Sequence, residues 1–315
     1  MMSHSIGQLR DEPPLPHTKL VSCDGNNSSK RFAHAGHQDH RAFDSDYLIG
    51  EEEVNTFADE VPPATLQDAP VQCTDKWKTS RATDNATHWM DGMRETGNFL
   101  FSCRHGMILF SSDMVRSGEL SKYPLAGVQR LLQVFGEGIA VGYDIGCDFS
   151  GTAMRSRLGK DIRALRLSFY VGAFHGYAHN RKCQLEFHPR IQCTAGLEDF
   201  ETNEWIFSRQ NGTAHLFRYA SRFHRHMTLH LFWEQWDHDR RAVLADFLHK
   251  KYKHALEILD TVGPTVRLYQ ARSQISDEQF RQFIVDEKEY FQQLRKEPEE
   301  EKIQYEYLET LQELS

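Results

Sequence analysis

The residues best suited to chemistry in this chain are acids that close short apolar runs. Lys19-Leu-Val-Ser-Cys-Asp24 ends in one aspartate, and Ile139-Ala-Val-Gly-Tyr-Asp144 ends in another. A carboxylate at a strand end stands on a rigid frame and still meets solvent. Further along, Glu201 and Glu204 lie three apart in a helix-like stretch, so they share a face. Such oxygen ligands suit Mg²⁺ or Mn²⁺, with one or two carboxylates per ion. Two ions held this way can activate a water or hydroxyl and stabilise the leaving oxygen of a phosphodiester. On residues alone the alternatives stay open. Asp24 precedes Gly25-Asn26-Asn27, a turn-forming run. Paired acids on a polar helix are commonly a solvated face. Asp75, Asp91 and Asp148 compete for the same role.

A second group is His175, His179 and Cys183, spaced i, i+4 and i+8. On one helix they would lie on one side, and imidazole with thiolate is a zinc donor set. Three side chains over two turns do not easily reach one tetrahedral ion, so Cys193, His188 or Cys147 would have to complete it. The bland alternative is a helix packed on the sheet with hydrogen-bonded histidines. A third group is basic. Arg209, Arg218, Arg222, Arg225 and His226 interleave with Phe217, Tyr219 and Phe223. Positive charge holds phosphates and aromatic rings stack on bases, which makes these arginines candidates for DNA contact. A solvated basic helical face fits the composition equally well.

The elements that must position these groups follow from apolar runs and their breakers. Lys19 to Asp24 reads as a buried strand. Phe99 to Cys103 and Met107 to Phe110 flank Arg104-His-Gly106 and read as a hairpin. Pro124 opens a helix to about Phe135, with Leu125, Val128, Leu131 and Leu132 on one face. Ile139 to Asp144 is a further strand, and Leu165 to Val171 another apolar run. Helices are expected near Asp199 to Asn211, His226 to Trp236, Asp239 to Thr261, Ser276 to Leu294 and Glu299 to Leu314. The polar stretch 28–95 is long for a connection, with a short helix expected at Glu51 to Val61. The order of strands and acids resembles a ribonuclease H-like α/β layout, a mixed sheet with flanking helices.

Composition sets the outer bounds. The chain has 315 residues, 39% hydrophobic and 26% charged, which is a globular balance. No stretch approaches the length of an apolar membrane span, so a membrane partner is not expected. Six cysteines are spread widely and no CxxC occurs, which argues against a disulfide scaffold. The net charge of −8 is uneven. Residues 276–315 hold 12 Asp+Glu against 5 Lys+Arg, whereas 151–256 hold 17 Lys+Arg against 10 Asp+Glu and ten of the 17 histidines. Overall acidity therefore does not argue against a DNA-handling core.

Longer blocks carry a family resemblance. They are Leu20-Val-Ser-Cys-Asp-Gly-Asn-Asn-Ser28, Cys103-Arg-His-Gly106, Asp113-Met-Val-Arg-Ser-Gly-Glu-Leu120 and Gly142-Tyr-Asp-Ile-Gly-Cys147. They continue in Gly172-Ala-Phe-His-Gly-Tyr-Ala-His-Asn-Arg-Lys-Cys-Gln184, Ile206-Phe-Ser208, Phe223-His-Arg-His226 and Lys296-Glu-Pro-Glu-Glu300. With them the chain resembles the KDZ transposases of fungi, those associated with a CxC-type cysteine-cluster domain. The resemblance implies a DDE-type core that cuts and joins DNA using two Mg²⁺ or Mn²⁺ ions. By position, Asp24 and Asp144 match the first two acids and Glu204 the third, with Glu201 as the alternate. DNA would be the partner, a homo-oligomer is an open expectation, and nuclear residence follows from the family alone. The family tends to write Gly-Glu-Gly where this chain has Phe200-Glu201-Thr202. The upstream cysteine cluster is missing, so the chain reads as a shortened copy. The competing expectation is an inactive remnant that binds nucleic acid or another partner. The domain reading is a lead-in at 1–18, a core at 19–212 with the 28–95 insertion, a basic helical region at 213–275 and acidic helices at 276–315.

Overall fold

The structure is a computed structural model that describes residues 15–60, 92–192, 194–293, 307 and 310. Among them are seven strands: β1 (Lys19–Asn26), β2 (Arg31–Phe32), β3 (Leu48–Ile49), β4 (Met93–Cys103), β5 (Ile108–Val115), β6 (Ile139–Gly142) and β7 (Ser168–Tyr170). The helices before the acidic motif are α1 (Glu51–Asn55), α2 (Lys122–Phe135), α3 (Gly146–Arg155), α4 (Gly159–Ala164), α5 (Arg181–Phe187) and α6 (Pro189–Gln192). Those that follow are α7 (Thr202–Gln210), α8 (Ala214–Phe217), α9 (Arg222–Ala242), α10 (Leu244–Ser273) and α11 (Asp277–Gln293). The expected mixed α/β class is found.

The sheet runs β3-β5-β4-β1-β6-β7, and β2 also pairs with the long β4. β4 is antiparallel to β1 and β5, whereas β1, β6 and β7 run parallel to one another. Parallel neighbours need crossovers, and helices supply them: α2 lies between β5 and β6, and α3 with α4 between β6 and β7. Alternation along β4 divides the core. Phe99 and Phe101 join the residues of α2 and α3 on one face. Leu100 between them joins Ile206, Phe207, Leu229 and Trp233 on the other. Helices therefore cover both faces.

Several elements differ from the sequence expectation, among them α9 and α10, which run over Arg222–Ala242 and Leu244–Ser273 and so extend past the expected helices. β1 continues past Asp24 to Asn26, because Asp24, Gly25 and Asn26 stay paired with Leu100, Phe99 and Asn98. β4 begins at Met93, and its polar start hid it from apolar pattern reading. Glu95, Thr96 and Asn98 are nonetheless buried there. The short helix after Gly50 ends at Asn55, while Pro62-Pro63 lies outside the described residues. β2, β3 and α1 belong to the stretch expected as an insertion, and β2 and β3 join the sheet.

The chain divides into two compact units, Met1–Ala255 and Leu256–Ser315. The sheet and all candidate chemistry belong to the first. In the second, Tyr269 meets Phe280 with ring centres 6.0 Å apart, and Gln270 bonds to Asp277. No helix among the described residues is long and apolar enough to cross a membrane.

Candidate metal centre

Strand register brings the two aspartates together. Ser22 of β1 pairs with Gly142 of the parallel β6. Counting two residues on from that rung reaches Asp24 on one strand and Asp144 just past the end of the other. Side chains two apart share a sheet face, so Asp24 within β1 and Asp144 just past β6 sit side by side on one face. The Asp24 carboxylate accepts the Gly25 amide at 2.7 Å. Burial pushes its pKa well above the ordinary aspartate value, and the nearby charges of Asp144 and Glu119 add to that rise. Asp144 is pushed up to about 6 by burial, with Glu201 and Glu204 adding and His175 opposing.

The glutamates arrive from the opposite helical layer. α7 turns Asn203, Ile206, Phe207 and Gln210 inward, a helical stripe, and leaves Glu204 and Trp205 outside. Buried polar bonds fix its position on the sheet. Ser102 Oγ donates to Asn203 Oδ1 at 2.6 Å, and Asn203 Nδ2 donates to the Leu100 carbonyl at 3.1 Å. Gln210 bonds to Asn98 at 2.8 Å and accepts the indole N–H of Trp233 at 2.8 Å. The exposed Glu204 then groups with Asp144 and His175, donor atoms within 4.8 Å of one another.

Glu201 has a different occupation. Its Oε1 accepts the Phe174 amide at 2.9 Å, and its Oε2 meets His175 Nδ1 at 3.1 Å. A Cβ at position 172 would lie 2.4 Å from Glu201 Oε1, so glycine there makes room for the carboxylate. Burial alone would raise Glu201, but the bonds from His175 and Phe174 bring it below the ordinary value. The same bond raises His175 to about 9 against its partial burial, with Asp144 helping at 3.3 Å.

Phe200 explains the departure from Gly-Glu-Gly. Its φ is +59°, the left-handed region that glycine favours. The glycine conformation is kept, at a cost of about 1–2 kcal/mol for a residue with a Cβ. The buried ring stacks on Tyr170 at 5.2 Å, which offsets that cost.

A fifth acid was not singled out from the sequence. Glu119, beyond β5, reaches over Gly25, where a Cβ would lie 2.4 Å from its carboxyl carbon. Tyr143 Oη donates to Glu119 Oε2 at 3.2 Å, and Asn27 Nδ2 donates to Oε1 at 3.1 Å. Burial pushes Glu119 up to about 7 and Asp144 adds to the rise. The available signal was the glycine directly after Asp24. A cleft of about 410 Å³ opens beside it, lined by Glu119, Tyr143, Asp148 and Pro124 among others. Asp75 and Asp91 lie outside the described residues.

The donor set fits a hard divalent cation. Asp24 feels the charges of Asp144, Glu119 and Glu204, and Asp144 those of His175, Glu201 and Glu204, so oxygen donors lie close together. Asp24, Asp144 and Glu119 are each held above their ordinary pKa first by burial and also by neighbouring acids, surroundings that a cation would relieve. All the acids offer oxygen, the ligand that Mg²⁺ and Mn²⁺ take.

His175 therefore does not join His179 and Cys183, as a single helix would have required. His175 lies in a 3₁₀ turn, His175–Ala178, and Asn180 starts a new helix by accepting the Cys183 amide at 2.9 Å. Cys147 joins them instead: its Sγ is 3.5 Å from His179 Nδ1, which is 3.2 Å from Cys183 Sγ. His188 is engaged elsewhere, bonding the Ala173 carbonyl at 3.1 Å, and Cys193 lies outside the described residues.

The four arginines also separate. Arg209 and Arg218 are exposed, and Arg222 is partly exposed while bonded to Glu51 at 3.4 Å. Arg225 is fully buried and cannot face DNA, which corrects its place among the surface cations. It pairs with Asp113 of β5 and donates to the Gly97 carbonyl at 3.1 Å. His226 Nε2 meets the other Asp113 oxygen at 2.7 Å. Burial alone would raise Asp113, but the charges of Arg225 and His226 hold it well below the usual carboxylate range.

A family model described as Kyakuja-Dileera-Zisupton (KDZ) transposase matches residues 17–237. The chain belongs to the KDZ transposase family. Neither a search of curated proteins nor one of solved structures gave a match. The KDZ match takes in both aspartates, all three glutamates of the acidic cluster and the Cys147–His179–Cys183 group.

Proposed function

We propose that this KDZ chain is a DDE-type polynucleotidyl transferase core that cleaves and joins DNA strands with divalent metal. The observation that carries the reading is the grouping of Asp144 and Glu204 with His175, with Asp24 on the neighbouring strand near enough to feel both acids. Strand order and direction support a ribonuclease H-like core, with an antiparallel β5-β4-β1 half continued by parallel β6 and β7. Mg²⁺ or Mn²⁺, held there as two ions, would activate the attacking water or hydroxyl and stabilise the leaving oxygen. Glu204 is the third acid because it is exposed beside Asp144, whereas Glu201 is committed to Phe174 and His175. Glu201 and His175 hold the Asp144 side of the site in place. Glu119 orients Tyr143 and walls the neighbouring cleft. Arg209, Arg218 and Arg222 serve the DNA backbone, and the protein acts in the nucleus.

The test is cleavage of labelled DNA ends by purified protein with Mn²⁺ or Mg²⁺. Metal-dependent nicking that disappears in Asp144→Asn is expected. DNA binding without nicking in any divalent metal would reject the catalytic reading and leave a binding protein that keeps the fold.

A further inference from the structure

We propose that Cys147, His179 and Cys183 form a zinc site that fastens the two segments flanking the acidic cluster. The three donor atoms lie within 4.8 Å of one another. A tetrahedral ion with Zn–S of about 2.3 Å and Zn–N of about 2.0 Å separates its sulfur and nitrogen donors by about 3.6 Å. The Sγ–Nδ1 separations here are 3.5 Å and 3.2 Å, the spacing of donors around one ion. Cys183 is fully buried and His179 nearly so. Sulfur and imidazole select a softer metal than the carboxylate cluster does, so the two sites would sort their ions by ligand chemistry. Three protein ligands leave the fourth position to water or a further donor.

The placement gives the site a purpose. Cys147 sits in the first turn of α3, three residues after Asp144. His179 follows His175 by four, and Cys183 is in α5. A zinc ion bridging α3 to the His179–Cys183 turn would fix the separation of Asp144 from His175. One segment lies in the β6–β7 crossover and the other follows β7, and they share no continuous helix, so a metal crosslink would join them. Zinc here positions residues and takes no part in strand cleavage. The inference stands on this geometry whether or not the acidic cluster cleaves DNA.

The experiment is zinc analysis of the full chain, with Co²⁺ substitution as a second readout. About one zinc per chain is expected after dialysis. It should fall below about a tenth in His179→Ala and in Cys183→Ser, and stay in Cys103→Ser, whose thiol lies outside the group. Loss of a buried ligand can also unfold a domain. Cys147→Ser, the more exposed thiol, is therefore read by Co²⁺ absorption. It should keep the fold and lose about half of the thiolate-to-cobalt charge-transfer intensity of the wild type. Wild type that takes up no zinc, zinc retained in full by the Cys183 variant, or bound Co²⁺ without a thiolate band would each overturn the assignment.

Discussion

Two aspartates in one sheet have opposite surroundings. Asp113, on β5, is buried between Arg225 and His226 and is held well below the usual carboxylate range. Asp144, at the end of β6, is raised to about 6, with Glu201 and Glu204 beside it and His175 as the opposing cation. The first charge is answered by the chain itself, so its ion pair serves the fold. The second is raised first by burial and then by two neighbouring glutamates, surroundings that a bound cation would relieve. The two carboxylates thus differ in what answers their burial, an arginine and a histidine at Asp113 against two further acids and one histidine at Asp144.

The comparison breaks most visibly at the ligand end. Asp24→Asn and Asp144→Asn should each lower metal-dependent cleavage by about a thousandfold or more, roughly 4 kcal/mol of barrier, while the thermal midpoint holds or rises. A gel assay with paired melting curves checks both halves. Glu204→Gln should cost about a hundredfold and Glu201→Gln about tenfold, since the latter only holds His175. Equal losses would mean that the third acid is shared. Asp113→Asn should do the reverse. It should destabilise by about 3–5 kcal/mol in urea unfolding, by leaving Arg225 buried and unpaired, with Mn²⁺ affinity unchanged. The pH sign follows from the depressed Asp113. Its contribution is complete above the unfolded value of about 3.9 and is lost as pH falls below it. Wild type should thus lose more stability than Asp113→Asn between about pH 4 and 2, as read by denaturation at each pH. The smallest effect concerns Phe200. Phe200→Ala and Phe200→Gly both remove the stack on Tyr170, but at φ +59° the glycine variant should be the more stable by about 1 kcal/mol. That order reverses what a helix or strand interior would give.

Much of the site was legible because its acids end apolar runs. Asp24 and Asp144 could be picked out by following hydrophobic segments to their polar stops, and Glu204 by its helical spacing and the family motif. Glu119 could not, since it lies in a loop and reaches the cluster only by crossing over Gly25. The i, i+4, i+8 reading of His175, His179 and Cys183 failed at Asn180. Its side chain caps a new helix there and sends His175 to the acids. Arg225 was misplaced for want of one period count. Arg225, Leu229 and Trp233 fall four apart on the inner face of α9, so the arginine travels with the core. The polar strands of the 28–95 stretch stayed hidden because their partners are ion pairs, such as Arg31 with Glu95 at 2.6 Å, and not apolar contacts.

The rung joining Ser22 to Gly142 has a consequence for how this chain can change over generations. Both aspartates are located by a count of two from that rung, and a strand's faces alternate. One residue gained or lost before Asp24, or between Gly142 and Asp144, would swing a carboxylate to the wrong side of the sheet. Length changes between Asn27 and Gly92 leave that count untouched. The register thus tolerates a change of chain length downstream of the first acid that it does not tolerate beside it, provided that β2, β3 and α1 keep their places.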